Sequence, residues 1–160
     1  MRTTTKAAIA TIALIAILMG VFARPYEGRF FIVTNDGWYD VIGSTQAAVI
    51  RTTRNCRAVS SLASSTNEWH RVKSALGEPT GGAPLPIQVA REGAWFLAES
   101  EFENAEPAIV LLEQTDNGLT ERASWGGAPG PFLLEPLVWD HFRKAAPRAP
   151  TSLIQCFERQ

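Results

Sequence analysis

Four carboxylates crowd one short stretch of the chain: Glu99, Glu101, Glu103 and Glu106. Glycoside hydrolysis uses two carboxyl groups about 5–10 Å apart, one protonating the leaving oxygen and one attacking or activating water. Residues two apart share a strand face, so Glu99, Glu101 and Glu103 line one side if a strand runs that far. The same residues serve equally as solvated charges on an edge or loop. That leaves a small hydrolase of cell-wall or sugar substrates as an alternative reading.

Cys56 and Cys156 are the only cysteines, 100 positions apart. A lone pair is too few for a cysteine zinc site, and in an oxidising compartment it reads as a disulfide. The competing reading makes Cys56 a nucleophile with His70 as its base. Of the two histidines, His70 falls on the polar side of a short helix. His141 falls at the margin of an apolar arc with Val138, Trp139 and Phe142, where packing is the simpler role. No H-E-x-x-H, G-x-S-x-G, Walker or G-x-G-x-x-G pattern occurs, so no cofactor or metal is expected.

Charge order carries more information. Five basic residues lie between Arg51 and Lys73 against Glu68 alone, and eight acidic residues lie between Glu92 and Glu121 with no Lys or Arg. Either the basic segment pairs with the acidic strands of its own domain, or the surface is dipolar and docks a charged partner. Arg51, Arg54 and Arg57 are the candidate contacts. Trp38, Trp95 and Trp125 join them, because tryptophan is enriched at interface hot spots and this chain has five. A net charge of -1 over 160 residues speaks against a nucleic-acid binder, which needs a basic excess.

The elements that must position these residues begin with a charge-free run. Behind Arg2 and Lys6, residues 7–23 hold no charge, and Arg24 and Pro25 end the run. It is long enough for a secretory signal and at the lower limit for a single-pass membrane anchor. Residues 1–23 are therefore read as one or the other, and residues 28–160 as an exported domain. A buried core helix is the remaining reading of the run.

Aromatic and β-branched segments at 30–34 and 38–42 flank Asn35-Asp36-Gly37, a hairpin signal. A helix is expected from Ser44 to Ala63, with Ala48, Val49, Thr52, Cys56, Val59 and Ala63 on its buried side. Ser65 and Glu68 form a capping-box pattern before a short helix through Leu76, whose stripe is Trp69, Val72 and Leu76. Strands follow at 87–90, 95–100, 108–113 and 119–125. The unalternating Ala108–Leu112 marks a central strand covered on both faces. A helix at about 135–146 has Pro136 in its first turn, and 152–157 forms a last strand or tucked tail.

The expected fold is α+β: an antiparallel sheet of about five to six strands with helices on one face, preceded by an N-terminal hydrophobic helix. The expected function is a non-catalytic envelope protein, periplasmic or held in the inner membrane with its domain on the periplasmic side. It would bind another protein there, as an accessory subunit or as an inhibitor or immunity factor. A small-ligand or lipid carrier is a third reading and needs an apolar pocket.

Overall fold

The structure is a computed structural model and describes residues 23–26, 29–35, 37–76, 83–127 and 129–157. The expected N-terminal helix lies outside the described residues. Among those described, no helix is long and apolar enough to cross a membrane.

The fold is α+β, with two antiparallel sheets rather than one. Strands β1 (Ala23–Tyr26), β2 (Arg29–Thr34) and β3 (Gly37–Asp40) form a three-stranded meander. Strands β4 (Ser60–Ser61), β5 (Leu85–Glu92), β6 (Trp95–Glu101), β7 (Ala108–Thr115) and β8 (Gly118–Gly126) form the main sheet in sequence order. Its β7–β8 turn places Gly118 at φ 110°, where a side chain would strain the backbone.

Helix α1 (Val41–Thr53) begins three residues ahead of the expected start, because Asp40 ends β3 and caps the helix in the same step. Its carboxylate accepts from Gly43 N–H at 2.7 Å and from Arg29 Nη1 at 3.1 Å. Arg29 also reaches Asp140 at 3.6 Å, so one cation ties β2, α1 and a later helix together. Glycine at position 43 leaves room for this cap. A Cβ there would lie 2.6 Å from Asp40 Cγ and closer still to Oδ2.

The buried side of α1 is Gly43, Ala47 and Ile50, at i, i+4 and i+7. The expected side of Ala48, Val49 and Thr52 is instead exposed, with Val49 at 55%. The helix also stops at Thr53. Cys56 sits in a short 3-10 turn, Cys56–Ala58, and is exposed rather than inward-facing.

Helix α2 (Asn67–Ala75) is capped by Thr66, whose hydroxyl accepts from Trp69 N–H at 3.2 Å. Glu68 is thereby released from the capping role and pairs with Arg91. Helices α3 (Leu134–Ala145) and α4 (Thr151–Gln155) complete the chain, the latter in place of the expected strand or tail.

Helices cover both faces of the main sheet, not one. Along β6 and β7, Leu97, Ile109 and Leu111 meet Val138, Phe142, Leu153 and Ile154 from α3 and α4. The alternate residues Phe96, Ala98, Val110 and Leu112 meet Val72 and Leu76 at α2. The unalternating run at 108–112 had this cause: each successive side chain enters a different core.

Candidate binding cleft

The C-terminal end of α1 leans on α3, and between them opens a cleft of about 420 Å³. That volume lies within the usual range for ligand sites, roughly 300–1,000 Å³. Ile109 of β7, with Leu134 and Val138 of α3, supplies apolar floor. Ile154 and Phe157 supply the opposite wall, and Leu133 the rim.

Arg51 and Arg54, with Glu135 and Gln155, make the rest of the lining polar. Arg51 donates to Glu135 through Nε at 2.9 Å and pairs through Nη2 at 2.7 Å. Its side chain is 64% exposed, so the pair contributes about 0–1 kcal/mol and orients the guanidinium more than it stabilises the fold. Arg54 has a partner as well, so both guanidiniums are held in place at the cleft mouth.

A disulfide braces the wall. Cys56 and Cys156 are bonded, with their Cα atoms 5.6 Å apart. Cys56 follows Arg54 by two residues, and Cys156 lies between Gln155 and Phe157, both of which line the cleft. The bridge thus fixes both sides of the same opening, and Cys56 is not a free nucleophile for His70. It is consistent with an oxidising compartment.

Of the residues singled out in the sequence, Arg51 and Arg54 converge on the cleft. Arg57 lies beyond them in the exposed 3-10 turn. Trp38 is on the three-stranded sheet, 47% exposed, with its ring 6.1 Å from Tyr26 and 5.8 Å from Phe31. Trp95 and Trp125 are half-buried against the α3–α4 core.

The four carboxylates are dispersed in environment. Glu99 is 3% exposed and partnered, and its neighbour across the ladder is Ile109 of the cleft floor. Glu101 ends β6 in solvent, while Glu103 and Glu106 fall in the loop beyond it, because the strand stops at Glu101. His70 is exposed, and His141 is half-buried with its ring 5.3 Å from Phe142. Among the described residues, no group of three or more His, Cys, Asp or Glu could hold a metal ion.

Sequence reasoning missed Glu135, Leu133, Leu134 and the wall residues Ile154 and Phe157. Arg51 and Glu135 are 84 positions apart, and nothing in their local patterns links them. The wall had a signal in Cys156, since residues flanking a bridged cysteine are carried to its partner. Neither a protein-family model, nor a curated protein, nor a solved structure matches this chain.

Proposed function

We propose that the protein is a non-catalytic cell-envelope protein that captures another protein, as an accessory subunit of a membrane complex or as a periplasmic inhibitor. The carrying observation is the convergence of Arg51 and Arg54, read from sequence as partner contacts, on a half-polar cleft with an apolar floor, braced by the disulfide. The partner contributes an acidic, amphipathic segment: apolar side chains fill the floor and carboxylates meet the arginines. Charge steers the encounter and fixes register, while apolar burial supplies affinity.

A photo-crosslinking side chain in place of Leu133, at the exposed cleft rim, tests this in the protein's own cells. The reading expects one discrete adduct that disappears when Arg51→Glu and Arg54→Glu are added. The same group at exposed Leu85, on the far strand β5, is the control. Identical adducts from both positions, or an adduct indifferent to the charge reversals, would sink it.

One observation favours a second reading, a small hydrolase. Glu99 is a buried carboxylate beside the cleft floor, because as the cross-strand partner of Ile109 it shares that face of the main sheet. Glu99→Gln separates the two: partner capture survives under the binding reading, whereas a measurable sugar or cell-wall turnover is lost under the enzymatic one.

A further inference from the structure

The three-stranded sheet has one wet apolar face. Its register places Ala23, Pro25, Phe30, Ile32, Thr34, Gly37 and Tyr39 together, since Ala23 and Tyr39 both pair with Ile32 and Pro25 pairs with Phe30. All three charged residues of β1–β3, Arg24, Arg29 and Asp40, lie on the opposite face. That opposite face packs through its centre: Phe31 is fully buried, with the Phe132 ring 5.2 Å away and α1 beside β2, while Tyr26 and Trp38 at its edges are 43% and 47% exposed. The outer face is not packed. Phe30 is 59% exposed, Tyr39 54% and Ile32 39%. Single exposed hydrophobics are ordinary, but a contiguous uncharged set marks an interaction surface.

We propose that this face rests on the lipid bilayer, in the headgroup and upper acyl region, beside the point where residues 7–23 enter the membrane as a retained anchor. Chain continuity selects this occupant. The charge-free run ends at Ala23, which is also the first residue of β1. Ile32 is the ladder partner of Ala23 and Tyr39 the partner of Ile32. At about 4.8 Å per strand, Ile32 and Tyr39 fall within roughly 5 and 10 Å of the end of the run. The polar layer on each side of a bilayer is only about 5–7 Å thick, so an anchored chain keeps Ile32 within reach of the interface, and the uncharged side of the sheet is the one suited to lie against it.

The chemistry of the face agrees. A tyrosine with one apolar and one polar end suits that depth. Among the described residues, no carboxylate lies on this face. The inference depends on the anchor being retained and is independent of the cleft.

The test uses the full chain in vesicles of phosphatidylcholine and phosphatidylglycerol at about 3:1, a composition that supplies anionic headgroups. Nitroxide labels are placed on Phe30→Cys, Tyr39→Cys and, as a water-facing control, Leu85→Cys, without reductant so that the native bridge stays closed. Relaxation by oxygen, which concentrates in the bilayer, is compared with relaxation by a water-soluble nickel chelate. The oxygen-to-nickel ratio should be about threefold or more higher at positions 30 and 39 than at 85, as for side chains buried ~5–10 Å into the interface. Equal ratios at all three positions would place the face in water. Exclusion of both reagents would mean a protein cover, a second copy or another subunit. An intact mass lacking residues 1–23 would remove the anchor. Each of these three results overturns the proposal, and none of them touches the cleft.

Discussion

Replacing both Cys56 and Cys156 by serine should cost this domain a large share of its stability and open the cleft. The bridge closes a loop with a sequence separation of 100. In the chain-entropy description, a loop of that length restrains the unfolded chain by about 4–5 kcal/mol. Domains are stable by about 5–15 kcal/mol in total, so the unbridged protein becomes marginal.

The structure adds a local consequence. Helix α4 has five residues, far below the ~12–15 at which an isolated helix is even marginal. It holds its place through buried Leu153 and Ile154 and through the bridge at its C-terminal end. With a urea dependence of about 2 kcal/mol per molar, the midpoint should fall by roughly 2 M. Hydrogen exchange should also accelerate at the Cys156 amide, which donates to Ser152 O at 2.9 Å, well before it does at buried Leu111. A midpoint shift under about 0.5 M, with α4 as protected as before, would refute both parts of the reasoning.

Other consequences follow from single side chains. Gly43→Ala, a substitution that ordinarily stabilises a helix, should here lower stability by about 1–2 kcal/mol, because the new Cβ displaces the Asp40 carboxylate from its cap and from Arg29. Thermal denaturation checks it, and an unchanged or higher melting temperature contradicts the capping account. Phe142→Ala removes a fully buried ring at the centre of the α3 side and should cost about 3–5 kcal/mol in urea titration. Arg51→Glu should change stability by less than about 1 kcal/mol, since its partner Glu135 is matched in an exposed pair. A larger loss would make the pair structural and remove the reason to place Arg51 at a binding surface.

Four of the five strands of the main sheet were legible because their residues obey simple periods, whereas β4 at Ser60–Ser61 fell inside the helix expected from Ser44 to Ala63. Strands β5 to β8 each contain the expected segment, and Asn117-Gly118 marks the turn that the backbone then requires. What was not legible depended on tertiary context. The helix starting at Val41 looked like more strand, since Val41 and Ile42 are β-branched and the Asp40 cap is recognisable only once Arg29 and Gly43 surround it. The expected extension to Ala63 drew Cys56, Val59 and Ala63 into the helical pattern and turned the apparent buried side of α1 away from Ala47 and Ile50. The second covered face of the main sheet was implicit in the Ala108–Leu112 run, but the strand–helix order alone does not say which helix goes to which face.

The site was half visible. The arginines and the cysteine pair stood out by type and spacing, and the structure brings Arg51, Arg54 and the bridge to one opening. Glu135 and the apolar floor are contributed by distant segments, and no local pattern announces them.

The central claim is that this cleft holds another protein. Native mass spectrometry tests it most directly, on the full-length chain released from its own cells in mild detergent without reductant. The account predicts a stoichiometric partner on the bridged wild-type protein, and its loss from the Arg51→Glu, Arg54→Glu variant at unchanged fold. A lone species in the wild type, or a partner held equally by the variant, would contradict it.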